Sequence, residues 1–350
     1  MKNSFYTMLA FLIGVLICLS IVGFLGESPM LFLRVMYEAS FASYEEFSEL
    51  LYIVIPLTLT GLSVSVAYKA GLFNIGAEGQ LVVGAIAATA IGILIPAPAP
   101  FSILLAVSGS FLAGALWAFL PGYFRAYGGS HEVIHGIMMN FVAMALTGFI
   151  TLYLLKDSGS PHPDTYAIRT SYEMSPFSWA GISIPKSAWI VSGALFSYVL
   201  ISKFLTVGYL FKMTGLNIQA AAVYGLPVKK AQVFAMMLSG GIAGLVGSHE
   251  ILCVTHRFRI GFSPEYGYVG IAIAMLSGGS TLGLLAAAGL FGVLQKGALA
   301  LDLETDRITR DFGMVIQGIL ILATASGPAL KRGVNSLKDW IELRSMRIKI

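Results

Sequence analysis

One short motif in the chain has the residue types and spacing of a metal site. Residues 131–135 read HEVIH and match the pattern H-E-x-x-H, in which two histidines one helical turn apart bind zinc and the glutamate acts as general base. No convincing acidic third ligand follows downstream, and the motif stands where a helix is predicted to begin. His131, Glu132 and His135 leave a membrane-protease interpretation open, but we expect neither a metal nor a catalytic residue.

A second group of polar residues lies in stretches that are otherwise apolar. Asn74, Glu78 and Gln80 stand among glycines at the start of one such stretch, and Asn140 lies inside another. An ionisable side chain inside a membrane costs on the order of 3 kcal/mol on insertion scales, so such residues usually face a bundle interior or a cavity. These four residues are therefore candidates to line a cavity. The structural alternative is that Glu78 caps a helix start or pairs with Lys69.

The string LSGG occurs twice, at residues 238–241 and 276–279. A related string belongs to the soluble nucleotide-binding domain of transport ATPases, yet both copies lie in apolar runs and the sequence contains no G-x-x-x-x-G-K-[ST] phosphate loop. The chain cannot hydrolyse ATP alone. Gly240, Gly244 and Gly247 are better explained as small residues that permit close packing of helices in lipid.

Composition decides the class of protein that must position these residues. The chain has 350 residues, of which 57% are hydrophobic and 11% charged, whereas soluble domains have about 25% charged residues. Its apolar runs are near the roughly 20 residues that span a membrane as a helix, without the alternation of a β-barrel. Cys18 and Cys253 have no metal-like spacing. The sequence thus predicts an integral membrane protein.

We predict an all-α, polytopic membrane protein with about ten transmembrane helices. The predicted spans are residues 5–25, 50–68, 71–95, 101–120, 131–155, 187–205, 231–253, 266–276, 282–299 and 312–325. Lysines near residues 203–230 and a basic tail at 331–350 place those segments, and both termini, in the cytoplasm. Residues 1–330 are expected to form one membrane domain, with an acidic outer segment at 26–49 and another external segment at 156–186.

Three blocks of the sequence resemble a known family. They are AGLFNIGAEGQLVVGA at residues 70–85, GLNIQAAAVYGLPVKKAQVFAMMLSGGIAGLVG at 215–247, and FSPEYGYVGIAIAML followed by GLFGVLQKGAL within 262–299. In this order they resemble the permease subunits of bacterial ABC importers of the branched-chain amino acid and simple-sugar permease superfamily. The NIG-x-EGQ form and the chain length are most similar to the nucleoside permeases, and a simple-sugar, ribose-like permease is the alternative.

The resemblance implies a cytoplasmic coupling helix at about residues 217–224, within a cytoplasmic element at 206–230, which docks into a cleft of an ATPase subunit. Alanines are strong helix formers of little bulk, which suits insertion into a groove, and Lys229 and Lys230 can lie on the surface around it. The residues expected to form or bracket the coupling helix are Gly215, Asn217, Ala220, Ala221, Ala222, Tyr224 and Gly225.

The resemblance also implies the partners and the mechanism. Transport by alternating access would require the ATPase, which binds ATP and magnesium, an extracytoplasmic substrate-binding lipoprotein, and a second, different permease in a heterodimer. The chain itself would be a non-enzymatic subunit of the cell membrane without a cofactor, and no nucleic acid is expected as a partner. An ion-coupled secondary transporter, the remaining alternative, would not need a docking helix.

A nucleoside offers a flat base and a hydroxyl-rich ribose, and a pocket with few polar groups among apolar walls suits both. We therefore predict a substrate path lined by Asn74, Glu78, Gln80 and Asn140, with Phe73 and Phe141 as stacking surfaces.

Overall fold

The structure is a computed structural model and describes residues 2–305, 310–327, 329–334 and 336. The described chain is mostly helical. Its helices are α1 (Lys2–Phe24), α2 (Pro29–Phe41), α3 (Tyr44–Lys69), α4 (Ala77–Leu94), α5 (Phe101–Gly128), α6 (Glu132–Phe149), α7 (Ala188–Phe204), α8 (Thr206–Leu216), α9 (Ile218–Val223), α10 (Val228–His249), α11 (Tyr266–Leu276), α12 (Thr281–Glu304) and α13 (Arg310–Ala325). Two strands, β1 (Phe177–Trp179) and β2 (Ile182–Ile184), form an antiparallel hairpin.

Two of the long helices continue beyond their α-helical part as π-helical segments. Ile150–Leu154 extends α6 and Glu250–Thr255 extends α10. Single π-helical turns inside longer helices are uncommon and frequently lie at functional sites. The first extension lies within the predicted span 131–155, and the second begins in the predicted span 231–253 and continues two residues beyond it.

In the described part of the chain, seven helices are long and apolar enough to cross a membrane, and an eighth span results if α7 and α8, which meet at a 75° bend, are counted together. These seven are α1, α3, α4, α5, α6, α10 and α12 with their extensions. The remaining predicted spans are shorter, and α11, with 11 residues, rises only about 16 Å against a hydrocarbon core of about 30 Å. The polytopic class is confirmed, whereas the number of ten spans is not.

The chain divides into two compact units, residues 44–271 and a second unit of residues 1–43 with 272–350. In the first unit, α10 is the central helix and packs against α3, α4 and α5. Every residue from Ser239 to Cys253 is buried. A Cβ at Gly244 would lie 3.3 Å from the Cα of Gly114 on α5, so the two backbones touch. The prediction that the α10 glycines serve close helix packing is confirmed.

In the second unit, α2 packs against α12 and α1 packs against α13. The rings of Phe11 and Phe291 lie 6.4 Å apart in its core. The helix α2 lies inside the acidic segment at 26–49 that the sequence assigns to the outer side. Ser28 caps it, accepting the backbone N–H of Leu31 through its side chain, and Pro29 opens its first turn.

The segment at residues 156–186 contains the hairpin, which the all-α prediction lacks. Ala180 and Gly181 both have positive φ at its two-residue turn, the geometry that tight hairpins prefer. The backbone N–H of Ser183 donates a 2.8 Å hydrogen bond to the hydroxyl of Ser48 on α3, which anchors the hairpin to the helical bundle.

The sides of the membrane on which the termini lie, and the single membrane domain over residues 1–330, stay predictions. Of the basic tail at 331–350, Lys338, Arg344, Arg347 and Lys349 lie outside the described residues.

Candidate functional site

The segment between α3 and α4 carries the polar residues that the sequence singles out. The chain turns at Gly71, where φ is +75°, and stays non-helical until α4 begins at Ala77. Asn74 lies in this segment, while Glu78 and Gln80 lie in the first turn of α4. The structure therefore places these three side chains at the junction of a short, irregular connection and the beginning of α4, inside the first unit.

Asn74 is the centre of a buried hydrogen-bond network that joins three helices. Its side-chain amide donates to the Gln80 carbonyl oxygen at 2.8 Å and to the Ser239 hydroxyl at 2.7 Å, and Gln80 donates back to the Asn74 carbonyl oxygen at 3.0 Å. The Ser63 hydroxyl lies 3.0 Å from that of Ser239. Because Ser63 is on α3 and Ser239 on α10, the network fixes the start of α4 between these two helices.

Asn140 performs a similar task from α6. Its carbonyl oxygen accepts the backbone N–H of Gly79 at 2.8 Å, and its amide donates to the carbonyl of Ile75 at 3.0 Å and to the Tyr268 hydroxyl at 3.1 Å. One side chain thus satisfies one backbone group in the non-helical connection and one in the first turn of α4, which would otherwise be unpaired in an apolar interior.

Glu78 bonds to the beginning of a distant helix. Its carboxylate accepts the backbone N–H of Gly267 at 2.8 Å, and its side chain is almost completely buried. Gly267 lies in the first turn of α11, and a Cβ at this position would collide with the backbone of Glu78. No ion pair joins Glu78 to Lys69 in the described part of the chain; the Lys69 ammonium lies 4.7 Å from the ring centroid of Tyr198.

The predicted substrate-path residues therefore divide into two sets. Asn74, Glu78, Gln80 and Asn140 lie together around the first turn of α4, each at most 2% exposed, and each makes hydrogen bonds to the protein. Phe73 is half-buried, and Phe141 is exposed on α6. Substrate contact by these residues stays a prediction.

In the HEVIH motif, Glu132 forms an ion pair with Arg125, and the two histidines do not come together with a third possible metal ligand among the described residues. The Glu132 carboxylate lies 3.1 Å from Nε of Arg125 and accepts the backbone N–H of Phe73 at 3.3 Å. His135 stacks on the ring of Phe124, with centroids 5.0 Å apart. Among the described residues, no group of three or more His, Cys, Asp or Glu side chains could hold a metal ion. The arrangement gives no support to a membrane protease.

The predicted coupling helix coincides with α9. The Asn217 side chain caps it by accepting the backbone N–H of Ala220 at 3.0 Å, and Gly225 follows it with φ at +76°. Val223 and Tyr224 are 87% and 85% exposed.

The three alanines of α9 do not share one face. Ala220 and Ala222 are exposed, whereas Ala221 is buried. Gly215, at the end of α8, touches the backbone of Gly71, so the element is anchored to the α3–α4 connection. The most exposed apolar side chains of this element are therefore Val223 and Tyr224, which follow the alanines.

We define the polar cluster as the four buried residues Asn74, Glu78, Gln80 and Asn140. Several of their hydrogen-bond partners were not predicted from the sequence. Ser63 and Ser239 are isolated serines in apolar helices. The sequence shows them, but many serines in such helices bond only to their own backbone, so this pattern does not identify them as partners of Asn74. Gly267 and Tyr268 lie in the block FSPEYGYVG, which gave the resemblance to a family but no role for individual residues. Only the packing of α11 against α4 reveals their contacts with Glu78 and Asn140.

Comparison with known proteins gives consistent matches. A family model described as the branched-chain amino acid transport system / permease component matches residues 47–325, which include all three motif blocks. The guanosine ABC transporter permease protein NupP of Bacillus subtilis is 34% identical over 292 residues, which cover 81% of this chain and 82% of NupP. No solved structure matched the chain.

Two further relatives carry different substrate names. The nucleoside ABC transporter permease protein NupB of Lactococcus lactis is 30% identical, with 82% of this chain and 80% of NupB covered. The glucose ABC transporter permease protein TsgB13 of Haloferax volcanii is also 30% identical, with 88% of this chain and 83% of TsgB13 covered.

Proposed function

Because the chain belongs to the branched-chain amino acid transport system / permease component family, we propose that it is the membrane-spanning subunit of an ATP-driven importer that translocates nucleosides. As a family member with several apolar helices that can span a bilayer, it is a multi-pass protein of the cell membrane. The observation that carries the nucleoside assignment is the similarity over most of its length to relatives named for guanosine and nucleoside transport.

In the proposed importer, α9 docks onto a separate ATPase subunit that binds ATP and magnesium. The exposure of α9 supports this docking, because Val223 and Tyr224 form an apolar tip that nothing in the described unit covers. Lys229 and Lys230 follow at the start of α10 and are exposed. Such a tip, flanked by cations on the predicted cytoplasmic side, suits an apolar cleft with an acidic rim.

Transport by alternating access would act through the polar cluster around α4. The cluster joins α3, α4, α6, α10 and α11 through hydrogen bonds, so movement of one helix strains the others. The non-helical connection at Gly71 links the cluster to Gly215 at the end of α8, next to α9. A force on α9 is thereby transmitted to Asn74 and Glu78. Substrate would replace some of these internal hydrogen bonds as the path opens.

Further partners complete the proposed transporter. A binding lipoprotein delivers substrate on the outer side, and a second, different permease forms the other half of the path in a heterodimer. The chain itself catalyses no reaction and requires no cofactor. The second candidate substrate is a simple sugar, favoured by the glucose relative.

The test is reconstitution of the chain with its ATPase and second permease in proteoliposomes that contain the binding protein. Uptake of labelled guanosine should require ATP and should fall to background with an ATPase variant that binds but does not hydrolyse ATP. Unlabelled uridine should compete and glucose should not. Competition by glucose alone would favour the sugar permease, and uptake driven by an ion gradient without ATP would overturn the importer.

A further inference from the structure

A long apolar groove, here called the α7 groove, encloses about 420 Å³ in the first unit. One wall is the stretch of α7 from Trp189 to Ser202, which rises by about 20 Å, two thirds of a hydrocarbon core of about 30 Å. The opposite wall consists of Val66 on α3, Val107 and Phe111 on α5, and Leu238, Ile242 and Leu245 on α10. The groove is thus long enough to follow a lipid chain through most of one membrane.

The groove exists because α7 is poorly buried. Val191 is the one buried residue of α7, so the rest of the helix makes few close contacts with the first unit. At Gly193, which lines the groove, an added Cβ would have no atom within 4 Å. Apolar walls without contacting atoms lose dispersion energy, so an apolar chain that fills the space stabilises this arrangement.

One end of the groove is cationic. Lys69 lines it and lies over the ring of Tyr198, 4.7 Å from the centroid. Lys212 and Lys69 share a hollow that Glu132, paired with Arg125, also lines. Lys203 is exposed at the end of α7. In the part of the chain that the structure describes, none of these three lysines forms an ion pair. This end lies on the side that the distribution of basic residues predicts to be cytoplasmic.

We propose that the α7 groove binds one anionic phospholipid, with an acyl chain along α7 and the phosphate against Lys69 and Lys212. Basic pockets between transmembrane helices on the cytoplasmic side are suited to anionic head groups. Gly208 permits α8 to fold back against the backbone of Ile201 and Ser202, and both Gly208 and Phe211 of α8 line the groove. Ser197, Tyr198 and Ser202 also line the groove, so a nucleoside is the competing occupant, which displacement by guanosine in the test below distinguishes.

The charge requirement is tested by native mass spectrometry on the purified, delipidated full chain. Dioleoyl phosphatidylglycerol is titrated against dioleoyl phosphatidylcholine, which has the same acyl chains. We expect one phosphatidylglycerol to bind more tightly, and Lys69→Gln to weaken it about fivefold, the loss for one lysine near an anionic head group. Lys212→Gln, at an exposed position, should act in the same direction without risk to folding.

Lys229→Gln is the matched control, because this exposed lysine stacks on Tyr127, 5.2 Å from its ring centroid, outside the groove. It should leave phosphatidylglycerol affinity unchanged. Equal binding of the two lipids by the unaltered chain would overturn the proposal, and so would an effect of Lys229→Gln as large as that of Lys69→Gln.

The acyl-chain site is tested separately by filling the groove. Gly193→Leu should abolish the tight phosphatidylglycerol site, whereas Gly289→Leu, at another helical glycine with nothing within 4 Å of an added Cβ, should retain it. Unchanged binding in Gly193→Leu would overturn the proposal. Displacement of the lipid by guanosine, or its exclusion when the second permease is bound, would also overturn it and assign the groove to substrate or to the subunit interface.

Discussion

The Glu78 carboxylate accepts a 2.8 Å hydrogen bond from the backbone N–H of Gly267, across 189 positions of sequence. Glu78 lies in the first turn of α4 and Gly267 in the first turn of α11. The first N–H groups of any helix lack partners within that helix, and a negative charge near them is favourable. The buried carboxylate therefore provides a partner for one first-turn N–H of α11 and joins the beginnings of α4 and α11.

Removal of the Glu78 side chain should destabilise the protein more than removal of its charge. Glu78→Gln keeps an oxygen that can accept from Gly267, whereas Glu78→Ala leaves that buried N–H without a partner. We expect Glu78→Ala to lower the free energy of unfolding by about 1–3 kcal/mol, and Glu78→Gln to be milder. Denaturant unfolding of the chain in detergent micelles measures both. Glu45→Ala, at an exposed position in α3, is the control, and equal losses in the two Glu78 variants would contradict the role of the hydrogen bond.

Substitutions in the Asn74 network should distinguish a structural role of Asn74 from a role in substrate binding. Asn74→Leu keeps the approximate volume but removes the partner of Gln80 and Ser239, so a loss of about 1–3 kcal/mol is expected. Ser239→Ala removes one hydroxyl and should cost about 0.6 kcal/mol, the mean for such bonds in membranes. If Asn74 contacts substrate, the KM for guanosine in reconstituted vesicles rises in Asn74→Leu and stays constant in Ser239→Ala. Equal KM values in both variants would restrict Asn74 to a structural role.

Close packing of α5 and α10 should not tolerate a methyl group at Gly244. An added Cβ would collide with the Ser110 carbonyl oxygen and would lie 3.3 Å from the Cα of Gly114. Overpacking of this kind typically costs about 1–3 kcal/mol, so we expect Gly244→Ala to reduce the yield of monodisperse protein in size-exclusion chromatography. Gly193→Ala is the control because its Cβ enters open space. A normal elution profile for Gly244→Ala would show that the two helices can separate at no measurable cost.

The coupling role of α9 should depend on its exposed tip and not on its buried alanine. Tyr224→Ala removes an exposed ring, so its effect on unfolding should stay within about 0.5 kcal/mol, while retention of the ATPase in co-purification and ATP-dependent uptake should fall. Ala221→Lys places a charge at a buried position and should disturb α9 itself. Normal ATPase retention in Tyr224→Ala would contradict docking through this tip.

For the polar cluster, the sequence predicted the residues but not their hydrogen-bond partners. Polar residues in apolar stretches identified Asn74, Glu78, Gln80 and Asn140, and the structure brings all four together. Their hydrogen-bond partners could not be predicted from the sequence, because Asn140 bonds to Gly79, 61 positions away, and Glu78 bonds to Gly267 on another helix. Sequence spacing fixes neighbours within one helix, but contacts between helices depend on how every helix packs.

Hydropathy alone determined the membrane class and the positions of the long spans, because a helix in lipid satisfies its own backbone hydrogen bonds and so has a local signature. The helix at about residues 217–224 was predicted from the family resemblance. The motif blocks determined the family. Tertiary structure decided the relations that are not local. It leaves α7 poorly buried, buries Ala221 but exposes Tyr224, and places the first turn of α11 in contact with Glu78. These relations follow from close contacts between distant segments, such as the meeting of α4 and α11 at Gly267, which sequence periodicity does not encode.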